Sequence, residues 1–323
     1  MKTKITLVAA LLAATSFTTS AASLKIGTGG EGNNYHGMGL DIASYCEEDV
    51  NRELEIIETL GSTQNLVGLL NKQFSVAMVQ EDVLNFYAKR DPNKVNKNLL
   101  KVITDLHEEA VHLLIPKGYQ PKSKEEKGMW SNFFGKDDNQ PKQFELSMLK
   151  GQTVGSWGGS IVSAEALGYF FGLGLRVVEV KDNVDNTSKP LILVGGAPYK
   201  TAQKYLASGK WTLAPLNYDA ISQQASFYTK QTVNYQIGGK VRSIPTVGVR
   251  AQLIGKSFRK KSRNTPMTEL ATCIYANVAD LADDYETNPN WSSVYDHVET
   301  GAQSNWSYFP LDEKKLAEYE EAY

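Results

Sequence analysis

Leu24 to Gly39 read LKIGTGGEGNNYHGMG, and the fold turns on how this stretch is understood. A short apolar segment ends at Gly27, further glycines stand at 29, 30 and 32, and a helix is expected from Tyr35. Strand, glycine turn and helix start aim the first helical N–H groups at the mouth of the loop, which favours an anion there. The letters also spell G-x-G-x-x-G, the dinucleotide fingerprint, with Glu58 near the place of an acidic ribose partner. Yet Asn33-Asn34-Tyr35-His36 stands where that fingerprint's helix packs small residues, and a lone match is a weak signal. Nucleotide binding is the lesser reading.

Outward from this loop the same order repeats. LEIIETLG reads as a strand, STQNLVGLLNKQ as a helix with Leu66, Leu69 and Leu70 on one face, FSVAMVQ as a buried strand, and 82–89 as a helix. LLKVITDL and AVHLLIPKG read as two strands in quick succession. A second set follows: GQTVGSW, a helix from Ser160 to Phe171, LRVVEV, PLILVGG, a helix through YKTAQKYLASG, and WTLAPLN. An irregular stretch then leads to SIPTVGVRAQLIGK, a returning strand, and a long amphipathic helix. Two β-α sets, entered by one strand and left by another, predict an α/β fold of two lobes. Each lobe is a mostly parallel sheet flanked by helices, and two crossover strands form the hinge. The expected division is 23–110 with 253–323 as one lobe and 111–252 as the other, with 119–149 as an exposed excursion.

The N-terminus reads as an export signal. Lys2 and Lys4 precede an apolar run from Ile5 to Phe17, and Ser20 and Ala22 suit cleavage after Ala21 or Ala22. A signal peptide over 1–22 and a periplasmic protein are expected. A formal net charge of −2 gives no basic field for nucleic acid. Cys46 and Cys273 allow either a bridge in an oxidising compartment or two free thiols buried in helices.

Four strand-to-helix turns should open on one cleft, where sheets of this kind bind ligands. They carry Gly29, Gly30 and Tyr35; Ser62, Thr63 and Asn65; Gln80; and Trp157, Gly158, Gly159, Ser160 and Ile161. Ser62 or Thr63 also suits a plain helix cap, and Gln80 with Glu81 could simply start the next helix. Enzyme signatures miss: HEEAVH has one residue too many for a zinc helix, and neither a nucleophile elbow nor a phosphate-binding P-loop occurs. The four histidines, at 36, 107, 112 and 297, include no metal pair.

Five segments carry a resemblance: KIGTGGEGNNYHGMGLDIA, ETLGSTQNLVGLLNKQFSVAMVQEDV, VHLLIPKG, LKGQTVGSWGGSIVSAEALGYFFGL and IPTVGVRAQLIGK. In this order they resemble the TAXI-type solute receptors of tripartite ATP-independent periplasmic (TRAP) transporters. The resemblance implies a type II-like periplasmic binding protein that is not an enzyme and needs no cofactor or metal. It further implies a monomer that passes a small solute, a carboxylate by family habit, to membrane permease subunits. It adds Gly196 and Pro198 of the VGGAP turn, and Thr246, to the residues already named. The chain departs from the family at Gly158-Gly159-Ser160-Ile161, where Gly-Ser-Gly-Thr is usual, and at Thr232–Tyr235, so the ligand itself is not carried over. Arg176, Arg242 and Arg250 stand as possible counter-charges to an anion. The same fold could instead serve a membrane sensor, or, from a different class, a periplasmic enzyme.

Overall fold

The computed structural model describes residues 23–119, 130, 144–301 and 303–322. The expected signal peptide and most of the 119–149 stretch lie outside the described residues. The first set of elements is β1 (Leu24–Gly27), α1 (Asn34–Val50), β2 (Leu54–Ile57), α2 (Ser62–Leu70), β3 (Val76–Gln80) and α3 (Glu81–Arg90). Tyr35, Met38, Ile42, Cys46 and Val50 recur at helical spacing and give α1 its buried face. The helix stops at Asn51, which takes the left-handed conformation suited to a helix end. Helix α3 starts with Glu81 and Asp82 and ends with Lys89 and Arg90, so its charges complement its dipole.

β4 (Leu100–Pro116) leads into the second set: β5 (Thr153–Ser156), α4 (Ser160–Phe170), β6 (Arg176–Glu179), β7 (Leu191–Gly195), α5 (Lys200–Ala207) and β8 (Trp211–Leu213). Then come α6 (Tyr218–Gln224), β9 (Tyr228–Ile237) and β10 (Lys240–Lys256), which returns the chain to the first lobe. The helices α7 (Thr265–Ala276), α8 (Val278–Asp283), α9 (Trp291–Thr300) and α10 (Glu313–Ala322) complete it.

The strand order is β2-β1-β3-β10-β4-β7-β5-β6, with β8 beside β4 and β9 beside β10. β1 runs parallel to β2 and β3, and β5 runs parallel to β6 and β7. The fold is therefore two-lobed α/β, and β4 and β10 are the crossover strands, each 17 residues long. They pair with each other in the first lobe as far as Ala110 and Gly248 and then part. Beyond that point β4 turns to β7 and β8, while β10 continues along β9. Thr246 Oγ1 donates to the Val111 carbonyl at 2.6 Å just past the parting.

Three sequence expectations change, and one open choice is settled. The two strands expected over 100–118 are the single strand β4. Glu108 and Glu109 look like a break in the letters, but they pair in register with Arg250 and Val249, and bulges in β4, which fits three residues against two of β10 between Asp105 and Glu108, absorb the irregularity. The stretch expected to be irregular forms α6 and β9. β9 makes a hairpin with β10 through Gly238 and Gly239, both at positive φ, as a tight two-residue turn requires. The 119–149 stretch is not wholly exposed: Trp130, Phe144, Met148 and Leu149 are buried in the core of the second lobe. Finally, Cys46 of α1 and Cys273 of α7 form a disulfide. Both helices cover one face of the first lobe's sheet, and their packing resolves the choice that spacing left open.

Candidate functional site

One core cluster crosses the boundary between the lobes. Val162 and Ala166 of α4 are buried with Val83, Leu84 and Phe86 of α3, and the Phe86 and Tyr169 rings meet edge to face at 5.5 Å. The lobes are thus closed on each other along a seam. Two helix starts meet there. A Cβ built on Gly61, before α2, would lie 4.0 Å from the Gly159 Cα, before α4. Gly61 has φ +101°, so its backbone conformation calls for glycine although a Cβ there would have room. At neither helix, nor at α1 or α3, does an N-cap side chain accept a hydrogen bond from the first N–H groups, and the caps of α2 and α4 are glycines.

Behind these starts the polar residues form a connected set. Ser62, which is buried, donates to Gln80 Oε1 at 3.3 Å and accepts from the Gln80 N–H at 3.0 Å. From the other lobe, Ser163 Oγ donates to the same Gln80 oxygen at 3.2 Å. The Gln80 side-chain amide donates to Glu109 of β4. Glu109 lies 3.4 Å from His107 Nε2, which is 3.5 Å from Asn34 Nδ2. Tyr35 packs its ring edge to face with His107, and its hydroxyl faces Ser62 and Glu109 without a hydrogen bond of good geometry.

Asp82, the second residue of α3, is fully buried. Its Oδ1 accepts from the Val83 N–H at 2.7 Å, and its Oδ2 has no partner. Burial pushes its carboxyl up to about 7; the nearby charges of Glu109 and Glu81 raise it further, and Ser163 and the Val83 N–H oppose the shift. Burial raises the Tyr35 hydroxyl well above the ordinary tyrosine range, with Glu109 next in effect. Across the seam the buried Tyr228 hydroxyl, also without a partner, is raised by burial and then by Asp82.

The sequence-predicted residues divide into those that meet at the seam and those that do not. Tyr35, Ser62, Gln80, Gly159 and Gly196 come together there; a Cβ on Gly196 would lie 2.9 Å from Asn34 Nδ2. Thr63 and Ile161 sit half-buried beside Ser62 and Ser160. Gly29 is buried against Asn33 and Tyr35, and Gly30 lies at the loop's edge. Asn65 is fully used in holding the lobe together: Nδ2 donates to the Thr28 and Met78 carbonyls at 2.7 and 2.8 Å, and Oδ1 accepts from Thr59 at 2.7 Å. Ser160 is tied to its own lobe, accepting from the Val194 N–H at 2.9 Å and donating to its carbonyl at 3.2 Å. Thr246 serves the crossover strands, as above. Gly158 and Pro198 are exposed, and Trp157 is half-buried with its ring 6.0 Å from that of Tyr205.

The dinucleotide alternative meets an obstacle in the same loop. The Glu31 N–H donates to Glu58 at 3.2 Å, so a carboxylate already faces the mouth where a pyrophosphate would sit. Of the arginines, Arg176 and Arg242 are exposed, and Arg250 pairs with Asp105 at 3.3 Å. Sequence reasoning missed Asp82, His107, Glu109, Ser163 and Tyr228. Two open cavities, about 260 and 210 Å³, lie elsewhere: one beside Asp105, His297 and Phe309, the other beside Phe144, Phe171 and Asn217. No helix among the described residues is long and apolar enough to cross a membrane.

No protein-family model matches the chain, and no curated protein matches it. Among solved structures it is similar to one described as a periplasmic transporter (12% identity, 94% of this chain and 95% of that one, TM-score 0.45). It is also similar to the GluR0 ligand-binding core from Nostoc punctiforme, solved with L-glutamate (12% identity, 84% and 97%, TM-score 0.42). A third is the periplasmic binding protein BugD (10% identity, 86% of each chain, TM-score 0.43).

Proposed function

We propose that this protein is a periplasmic receptor that closes its two lobes over one small polar solute and delivers it to a TRAP-type membrane permease. The observation that carries the reading is the seam. Two lobes joined by β4 and β10 meet over buried polar atoms that lack partners: Tyr35 Oη, Asp82 Oδ2 and Tyr228 Oη. A buried polar atom without a hydrogen bond costs roughly 1–3 kcal/mol, so a closed seam of this composition gains by taking in a molecule that completes those bonds. Hinge closure around a ligand is what paired crossover strands permit.

In this reading the protein binds without chemistry, cofactor or metal, and acts as a monomer. Tyr35, Ser62, Gln80 and Ser163 contact or orient the solute, while Asn65, Ser160 and Thr246 hold the lobes in shape. The export signal over 1–22 supports a periplasmic address, and the quoted segments support a TRAP-type partner. We take the lobes to divide at 110/111 and 252/253; the exchange of partners by β4 after Ala110 and by β10 over Gly248–Ala251 supports a division close to these positions. A thermal-shift screen of carboxylates, amino acids, amines, sulfonates and phosphonates tests the reading. A ligand at ~100 times its dissociation constant should stabilise by about 2.7 kcal/mol. A hit that also compacts the protein in small-angle scattering supports the receptor. A flat screen with unchanged scattering overturns it.

A further inference from the structure

The seam has a charge that the helix starts alone do not suggest. Asp82 and Glu109 lie in it, and Glu81 and Asp105 lie close behind. Arg250, the cation at hand, is held by Asp105 and also faces Glu81, so that neighbouring group is itself acidic on balance. The groups that act most strongly on Asp82 and Tyr35 are carboxylates, hydroxyls and a backbone N–H, with no lysine or arginine among them. Burying a carboxylate away from water costs several kcal/mol unless a cation or a set of hydrogen-bond donors meets it. Asp82 Oδ2 is met by no cation and makes no hydrogen bond of good geometry, although Ser163 stands near the carboxyl, at zero exposure. Tyr35, 7% exposed, directs an unpartnered hydroxyl at the same place, and Tyr228 brings another from the second lobe. Among the described residues no three His, Cys, Asp or Glu side chains converge as metal ligands.

We propose that the seam grips its solute by a protonated amine or guanidinium, seated against Asp82 and Glu109 with Tyr35 Oη as a further acceptor. This rests on the receptor reading and replaces the expectation of a simple carboxylate. An N–H-bearing cation supplies the donors that Asp82 Oδ2 and the two tyrosine oxygens lack. A dicarboxylate would instead bring two more negative charges against Asp82 and Glu109.

Isothermal titration calorimetry at pH 7.5 separates the possibilities. Putrescine, agmatine and γ-aminobutyrate form one arm; glutarate and 2-oxoglutarate, which lack an amine, form the other. Binding within the first arm and not the second, weakened at least tenfold in Asp82→Asn and in Tyr35→Phe, is the expected result. Both variants should unfold in urea as cooperatively as the parent, which excludes a folding defect. Tight binding of glutarate or 2-oxoglutarate, or amine binding unchanged in Asp82→Asn, overturns the cation seat and leaves the receptor standing. Silence in both arms overturns the cation seat too; only if the broad screen is also flat does the receptor reading fall with it.

Discussion

Ser163 of the second lobe donates to Gln80 of the first across 3.2 Å, and Gln80 passes the contact to Glu109 on a crossover strand. One side-chain amide therefore links the two lobes and the hinge between them. Removing the hydroxyl in Ser163→Ala should favour the open form by about 0.5–1.5 kcal/mol, a two- to tenfold change in the open-to-closed ratio. Fluorescence transfer between dyes placed on the two lobes reads this directly. An unchanged distance distribution would mean that apolar packing alone, such as Phe86 on Tyr169, sets closure.

Asn65 separates holding the lobe together from touching the solute. Its three buried hydrogen bonds join the ends of β1 and β3 to Thr59, so Asn65→Ala should cost about 2–4 kcal/mol in urea unfolding. Unchanged stability with weakened binding would instead move Asn65 into the binding set.

Asp82 gives a pH signature of defined sign. Its folded carboxyl sits at about 7, above the ordinary aspartate value of 3.8, so the folded state holds a proton that the unfolded state has released. Unfolding then loses that proton, and this group's contribution to stability falls as pH rises from about 4 to about 7. Asp82→Asn removes the cost. The variant should match the parent near pH 4 and gain on it up to pH 7, by about 4 kcal/mol at most. Urea unfolding at pH 4.5 and pH 8 checks this; an equal difference at both would show that Asp82 titrates normally.

The disulfide should be felt throughout the protein. Cys46→Ala with Cys273→Ala, or reduction with dithiothreitol, should lower stability by about 2–5 kcal/mol, seen as a lower melting temperature. The effect should be absent when the double variant is treated with the reductant.

Much of the architecture was legible because periodicity and glycine turns report on local structure. The spacing of Leu66 and Leu69 and the turn after Gly27 announced their elements, and these in turn announced two lobes. Gly238-Gly239 is a hairpin signal, but the alternation of β9 is diluted by polar residues at 229–232, which are half-buried at 229 and 231 and exposed at 230 and 232. The seam was less legible. His107, Glu108 and Glu109 looked like a failed zinc motif. In the strand they alternate, so that His107 and Glu109 turn to Tyr35 and Gln80 while Glu108 meets Gln231 and His297. Asp82 looked like an ordinary acid in a helix's first turn. What makes it unusual is burial by α4 and β9, segments far along the chain, and no local pattern carries that information.

The disulfide also imposes an order on synthesis. The first lobe begins the chain and ends it, with the second lobe between. Helix α1 must wait for α7, 227 residues later by the Cys46–Cys273 spacing, before its buried face is covered. During synthesis the inserted lobe can therefore finish folding while the enclosing one is still half-made. For that interval Ile42 and Cys46 wait uncovered, and the thiol of Cys46 has no partner to close on.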